Sequence, residues 1–472
     1  MRAENQKSSK FVRMTTDPVE KLIFSLAAPS IVIMLISALY NMADTYFVSS
    51  LGTSEVAAVG IAFPLMNVIQ ALGFFFGQGS GNYMARALGA RNTEGASRMA
   101  ATSLISGFIF TAILAIGGLL GIKPLVDAIG ATETIRPYAV DYFFFILLAA
   151  PWMVAATVLN QQLRYQGSAA IAMVGMLSGA ILNIFLDPLF IFVFDWGVKG
   201  AAAATLVCQM VSFFLLFFYG CTRKEIVPIK LKNFTFSPYQ YAEMFRGGIP
   251  SLIRMGLMSI ANIIINLFAK GYGDAAIAAI SIVNRLCMFA NSAILGFAQG
   301  FQPVCGFNYG AKLYSRVRKA FWFCVRFCSG GLILIAVLMA IYAVPIISLF
   351  RKDDPIVIAI GALGLRLNCI SLPVTAVVMM VNMITQTMGK ALEASIAATA
   401  RQGLMLIPAL FILRPLFGLL GIQLATPVAD LASLIVVIPI LIRVFRQISI
   451  PDGMKEGAEA DMRSPPNLVD FN

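Results

Sequence analysis

Twelve apolar stretches, each about 20 residues or longer, occupy most of this 472-residue chain. A helix needs about 20 consecutive apolar residues to cross the hydrocarbon core of a bilayer. Hydrophobic residues make up 59% of the chain and charged residues only 12%, against about 25% charged in a soluble protein. The sequence therefore predicts an all-α polytopic membrane protein with twelve transmembrane helices.

A polar break at residues 221–241 divides the predicted helices into two sets of six. We expect an N-terminal lobe at 22–220 and a C-terminal lobe at 242–445, joined by this linker. Polar segments at 1–21 and 446–472 flank the two lobes. The predicted spans are 22–48, 56–83, 97–120, 137–160, 169–192, 197–219, 243–269, 275–300, 320–349, 356–381, 391–413 and 417–442.

The second half of the sequence repeats the first with a shift of 221 or 222 residues. Because each half contains an even number of spans, both halves enter the membrane from the same side. Such a parallel repeat is related by a pseudo-twofold axis along the membrane normal. The matched positions include Pro29 with Pro250, Gln78 with Gln299, Gly89 with Gly310, Asn160 with Asn382 and Thr205 with Thr426.

Basic residues concentrate in alternate connections between the spans, whereas charges in the other connections are largely balanced. The positive-inside rule then places the basic connections and both termini in the cytoplasm. This location also accounts for the net charge of +12, so we expect no nucleic-acid partner. The basic positions are Arg86, Arg91, Arg98, Arg164, Arg223, Lys224, Lys230, Lys232, Lys312, Arg316, Arg318 and Lys319.

The residue inventory argues against an enzyme. Histidine is absent, and the seven cysteines form no CxxC pair, so the usual zinc and haem sites are excluded and no cofactor is expected. No GxxxxGK[ST] motif is present to bind a nucleotide. Transport would then take its energy from an ion gradient.

Two aspartates interrupt apolar runs of the N-terminal half. Asp187 follows Asn183 by one helical turn, so their side chains share a helix face. A charge at the bilayer centre costs at least about 2.5 kcal/mol, which marks Asp44 and Asp187 as functional candidates. With Thr205 they offer oxygen donors that suit Na⁺ and equally suit a proton. Structural alternatives are a helix-capping role for Asp44 and a simple Asn183–Asp187 pair.

The C-terminal half has no acid at the matching places; the repeat sets Ile265 opposite Asp44. Instead it carries four arginines in or near spans, which are Arg254, Arg285, Arg366 and Arg401. Their long side chains can reach the membrane surface, pair with acids, or line a cavity for anions. For Arg401 the candidate partners are Glu393 and Asp430.

Four motifs resemble those of the multidrug and toxic compound extrusion (MATE) family. They are "NMADTYFVSSLG", "GQGSGNYMARALGA", "LNQQLRYQGSAAIAM" and "LNIFLDPLFIF", and the likeness extends over residues 20–445. The resemblance implies a V-shaped pair of six-helix lobes in a prokaryotic plasma (inner) membrane. It also implies export of drugs in exchange for Na⁺ or H⁺.

Similarity to the prokaryotic DinF-like branch implies a cation site of Asp44, Asn183, Asp187 and Thr205. It further implies a neighbouring substrate cavity, to which it assigns Tyr40, Tyr142 and Asn160. Other branches have acids in the seventh and tenth helices, but this chain has none there, which argues against a second cation site.

We therefore expect a monomeric cation/drug antiporter whose partners are small amphiphilic molecules and the lipid bilayer. The alternative is a flippase for lipid-linked saccharides or other lipid-like anions, which the four arginines would favour. Twelve spans and the aspartate pair favour the antiporter.

Overall fold

A computed structural model describes residues 10–49, 51–222, 227, 230–350 and 354–448, and for residues 37–46, 49, 53, 231 and 274 the backbone alone. These residues form helices joined by short connections, and the described ranges contain no β-strand.

Twelve helices within the described ranges are long and apolar enough to cross a membrane, as the sequence predicts. They are α1 Val19–Ser49, α2 Thr53–Gly89, α3 Thr93–Leu120, α4 Arg136–Tyr165, α5 Ala169–Val193, α6 Gly197–Thr222, α7 Pro238–Ala269, α8 Asp274–Gly310, α9 Tyr314–Ile341, α10 Pro355–Thr387, α11 Ala391–Phe417 and α12 Leu419–Gln447. Short helices at Ile122–Ala128 and Ala343–Phe350 precede α4 and α10. Single 3₁₀ turns at Leu231–Asn233 and Lys270–Tyr272 flank α7.

The predicted spans 56–83 and 275–300 are too short. Both α2 and α8 continue for one to three further turns, to Gly89 and Gly310. The added turns contain polar residues but are largely buried in the protein, as the burial of Met84, Ala85, Gln302 and Asn308 shows. Hydropathy cannot distinguish such turns from a loop. The predicted span 320–349 is likewise divided at Tyr342, between α9 and the short helix after it.

The connections 90–92, 166–168, 311–313 and 388–390 lie at one end of the helix bundle, which we call the basic end. The sequence analysis places Arg86, Arg98 and Arg164 in these connections. In the structure they lie within α2, α3 and α4 instead. In each connection one residue adopts a positive φ, and the four occupy matching places in the two halves. They are Arg91 (60°), Gly167 (75°), Lys312 (60°) and Gly389 (77°).

The two halves also repeat individual hydrogen bonds. The Asn160 side chain in α4 donates to the Ala172 carbonyl in α5 at 3.0 Å. The Asn382 side chain in α10 donates to the Ala394 carbonyl in α11 at 2.8 Å. Equivalent residues therefore make equivalent contacts, as expected for two six-helix lobes related by a pseudo-twofold axis.

The lobes meet where α2 crosses α8 at the basic end. A side chain on Gly89 would strike the Phe307 carbonyl, and one on Gly310 would strike the Arg86 carbonyl. Both positions therefore require glycine, which has no Cβ atom. The two close contacts are equivalent to each other in the internal repeat. The first helix of each half strengthens the junction, since α1 packs on α8 and α7 packs on α2.

Candidate functional site

One face of α5 carries a buried stripe that ends in the predicted cation-binding residues. Its members recur every four residues, which keeps them on one side of a helix. They are Gly175, Gly179, Asn183 and Asp187. Asp187 is fully buried and Asn183 is almost so. The sequence therefore brings two small residues and two polar ones to the same surface.

The glycines let α6 approach this stripe closely. A Cβ atom on Gly175 would collide with the Leu216 side chain, and one on Gly179 with the Ser212 hydroxyl. Further along, the Cys208 thiol lies within interaction distance of Asn183 and Asp187. Each advance of four residues along α5 thus meets a residue four positions earlier in α6. This antiparallel register places Thr205, buried on the same face of α6, at about the depth of Asp187.

Asn183 and Asp187 form a direct hydrogen bond. The Asn183 amide donates to Asp187 Oδ1 at 2.9 Å, and both groups are buried. The opposite end of the same amide, Asn183 Oδ1, is buried and accepts no hydrogen bond from the described residues. Buried polar atoms in proteins generally have partners, including ions and water. An amide oxygen of this kind suits a cation beside the carboxylate.

The backbone after Asp187 departs from a regular α-helix. Pro188 has no N–H group, and the last turn of α5, Leu189–Val193, has π-helical bonds. Gly200 at the start of α6 fits against this turn, because its missing side chain leaves room for the Phe190 carbonyl. π-Helical turns frequently occur at functional sites in helices. The irregular turn sets the end of α5, and with it Asp187, against α6.

Two predicted site residues, Tyr40 and Asp44, lie in α1, and their side chains are outside the described part of the chain. Their helix, α1, packs against α5, which carries Asn183 and Asp187. Their participation in the cation site and the substrate cavity stays a prediction.

The other two predicted cavity residues lie at opposite ends of α4. Tyr142 is buried, and its hydroxyl approaches the Met66 sulfur at 4.0 Å. Asn160 is 18 residues further along the helix, which corresponds to about 27 Å. Asn160 uses its amide to bridge α4 to Ala172. Ala172 itself is about 16 Å along α5 from Asn183, so the structure does not bring Asn160 to the Asn183–Asp187 pair.

A second buried carboxylate, Asp430 in α12, belongs to the C-terminal lobe. Its Oδ1 atom accepts from Arg401 Nε at 2.5 Å, and its Oδ2 atom accepts from Ser371 at 2.8 Å. The sequence suggests Asp430 only as one of two partners for Arg401, and the structure chooses it over Glu393. Arg401 lies in a π-helical turn of α11, Ala400–Met405. The hydropathy of the sequence does not predict that turn.

Of the other three arginines singled out in the C-terminal half, Arg285 and Arg366 are exposed, and Arg366 Nε donates to the Ala340 carbonyl at 3.3 Å. Arg254 donates to Asn382 Oδ1 at 3.1 Å, at the junction of the lobes. Among these four arginines, Arg401 alone forms an ion pair with an acid of the described residues.

Comparisons with known proteins agree on one family. The family model MatE matches residues 29–189 and again residues 250–412, so it recognises both halves. The multidrug export protein MepA of Staphylococcus saprophyticus subsp. saprophyticus is 28% identical over 436 residues, which cover 89% of this chain and 93% of that protein.

Solved structures share the whole fold. One is described as the outward-facing conformation of a multidrug resistance MATE family transporter of the MOP superfamily. It aligns with a TM-score of 0.87 and 28% identity over 93% of this chain and 99% of that one. Another, from Pyrococcus furiosus, aligns with a TM-score of 0.86 and 28% identity over the same shares. Its description states that reverse polarity of the binding pocket suggests a different function of that MOP superfamily transporter.

Proposed function

The chain belongs to the MatE family, and on that premise we propose that it is a secondary active multidrug efflux transporter, a cation/drug antiporter. It exports amphiphilic, often cationic compounds in exchange for Na⁺ or H⁺. Members of this family are transporters and not enzymes. Alternating access of the two lobes moves the compound across the plasma membrane of the cell, with the basic end and both termini in the cytoplasm.

The observation that carries the proposal is the buried Asn183–Asp187 pair at the crossing of α5 and α6. The pair combines a carboxylate with a neutral amide, which are the kinds of oxygen donor that a cation binds. A proton or a metal cation bound to this carboxylate offsets its negative charge. Uptake of either ion therefore changes the charge of the site, which is what an ion-coupled transporter requires.

Sodium and protons differ in what they need from this site. A proton needs only one acid. Sodium needs several oxygen atoms converging on one point. Asn183 Oδ1 and the Thr205 hydroxyl are the neutral donors of the described residues that complement Asp187, and Asp44 is expected to complete the set.

The closing of the lobes at the basic end supports the transport direction. Contacts such as Gly89 with Phe307 join α2 to α8 there. If the basic end is cytoplasmic, this arrangement opens away from the cytoplasm, the state from which an exported compound leaves.

A flippase for lipid-linked saccharides or other lipid-like anions is the second candidate, because arginines in the C-terminal half could bind an anion. The description of the Pyrococcus furiosus structure states only that reverse polarity of its binding pocket suggests a different function. Arg401 gives it little support, because Asp430 offsets the charge of that arginine.

Transport into sealed vesicles tests the proposal. Transport of an ethidium-like cation should accelerate when a sodium gradient or a pH gradient, each imposed separately, drives the ion in the opposite direction to the drug. In the cell that ion movement is inward. Movement of an anionic lipid-linked sugar without movement of the cation would favour the flippase. Ion gradients without effect on either compound would refute secondary transport.

A further inference from the structure

Arg164 is a buried charge at the junction of the two lobes. It lies in the last turn of α4, and only 2% of its surface is exposed. Its Nη1 atom donates to Gln299 Oε1 of α8 at 2.6 Å, so the contact joins the N-terminal lobe to the C-terminal one. An arginine side chain stays protonated in proteins, so the positive charge is permanent.

This guanidinium has no acidic partner in the described part of the chain. Its Nε and Nη2 atoms are buried and donate to none of the described residues. Removing a charge from water without a counter-charge costs several kcal/mol. A second guanidinium, that of Arg254, lies near enough to interact with the neighbouring Tyr165, so the positive potential here is larger than one charge gives.

Other buried hydrogen-bond donors around Arg164 also lack acceptors among the described residues. They include Gln299 Nε2, the Tyr165 hydroxyl and, one turn further along α8, Gln302 Nε2. Gln299 and Gln302 share a helix face, since they are three residues apart. Unmatched acceptors are also present, namely Gln302 Oε1 and the Asn82 Oδ1 atom near Tyr165. The Arg164 Nε and Nη2 groups and Gln299 Nε2 nevertheless remain donors without an acceptor among the described residues. Such donors around a positive charge are the reverse of a cation site.

The pseudo-twofold axis supplies an internal comparison. Gln386 occupies the position in α10 that Arg164 occupies in α4. Its Nε2 atom lies 2.6 Å from the Gly247 carbonyl, 2.6 Å from the Ser251 hydroxyl and 3.2 Å from Gln78 Oε1. A neutral amide therefore suffices to join the lobes, and it finds acceptors for its donor group. The charge at Arg164 is not required by the shared architecture.

We propose that Arg164, Gln299, Gln302 and Tyr165 bind a small inorganic monovalent anion of the chloride class between the lobes. A single anion offsets the buried charge and accepts several of the unmatched N–H and O–H groups, whereas water leaves the charge uncompensated. Because the ligands come from α4 and α8, the bound anion stabilises the arrangement in which the lobes touch at the basic end. The site is separate from the Asn183–Asp187 pair and does not depend on the direction of transport.

Thermal unfolding of the purified protein tests this site, with chloride exchanged for gluconate at constant ionic strength. Ligand binding to the folded state raises the unfolding temperature by an equal step for each tenfold increase in chloride above its Kd. We expect that response in the unmodified protein and its loss in Arg164→Gln, which copies the residue of the other half. Arg98→Gln is the matched control, because Arg98 is exposed and pairs only with Glu94 one turn away.

Bromide provides a readout that needs no variant. Crystals grown with bromide should show an anomalous peak between Arg164 and Gln299. Absence of both the peak and the chloride response would mean that water alone meets these donors, which overturns the proposal. An equal chloride response in Arg164→Gln and the unmodified protein would overturn it too, since the effect would then be a general one of salt.

Discussion

Arg401 and Asp430 form an ion pair between α11 and α12, with 2.5 Å between Nε and Oδ1. The carboxylate is 2% exposed and also accepts from Ser371. In the other lobe the carboxylate of Asp187 accepts a hydrogen bond from the amide of Asn183. The two buried carboxylates therefore differ in the partners that the structure shows: a guanidinium and a hydroxyl for Asp430, and a neutral amide for Asp187.

The Arg401–Asp430 pair should stabilise the fold mainly by keeping two charges matched. Asp430→Asn leaves a partly buried guanidinium without its counter-charge and should lower the free energy of unfolding by about 3–5 kcal/mol. The double variant Arg401→Met/Asp430→Leu should recover most of that loss. Unfolding in detergent measures both effects, and Asp127→Asn, which breaks an exposed pair with Arg136, should cost at most about 1 kcal/mol. A single variant as stable as the control would contradict this role.

The close packing of α5 against α6 should depend on the absence of a side chain at Gly179. Gly179→Ala places a methyl group against the Ser212 hydroxyl and should lower stability by about 1–3 kcal/mol. Gly117→Ala is the matched control, since no heavy atom lies near its added methyl group and alanine favours a helix. Ser212→Gly should partly rescue the Gly179 variant. If both alanine variants melt alike, the two helices have room to spare and the tight crossing is not required.

The contact between the two lobes at the basic end should be stabilised by Arg86. Its guanidinium donates to the Thr387 carbonyl at 2.7 Å and pairs with Glu243 at 2.6 Å. Arg86→Gln weakens both contacts, so the lobes should separate more often and expose Cys305, which is fully buried near Arg86. Maleimide labelling of Cys305, followed by mass spectrometry, should become several times faster.

Two native thiols are controls for that experiment. Cys221 is exposed and should react rapidly in both proteins, whereas Cys328 is buried within one lobe and should stay protected. Unchanged labelling of Cys305 would show that Arg86 does not hold the lobes together. Faster labelling of Cys305 and Cys328 alike would indicate general unfolding.

Neutral oxygen donors should distinguish sodium from protons. Asn183→Ala and Thr205→Ala each remove one oxygen donor. Loss of a ligand that contributes about 1.4 kcal/mol to binding lowers sodium affinity about tenfold. Export driven by sodium should fall accordingly, while export driven by a pH gradient should change less. Drug flux in vesicles at fixed pH measures the difference. Ser178→Ala is the control, because that hydroxyl bonds only to its own helix, at Val174; sodium-driven flux unaffected by either site variant would exclude them as ligands.

Hydropathy and the internal repeat predict twelve helices in two lobes, because length and composition determine whether a segment spans a membrane. Helix rotation is not predictable in this way, since most spans are apolar on every face. Asp187 was identifiable because it interrupts an apolar run after Asn183. The sequence leaves Arg401 with two candidate partners, Glu393 and Asp430, because the π-helical turn that directs Arg401 toward Asp430 has no sequence signal. The sequence analysis places Arg164 in a connection because it is a charged residue just after an apolar run, whereas the structure has it buried in the last turn of α4 with a hydrogen bond to the other lobe.

The central claim is that the charge of Asp187 couples ion movement to drug movement. The most direct measurement is ion flux in sealed proteoliposomes, by a pH dye and by radioactive sodium, when only a drug gradient is imposed. We predict that the unmodified protein moves at least one of these ions against the drug. Asp187→Asn should move neither, although it folds, and Asp195→Asn, the same change at an exposed position after α5, should behave normally. Ion movement by Asp187→Asn equal to that of the unmodified protein would contradict the account.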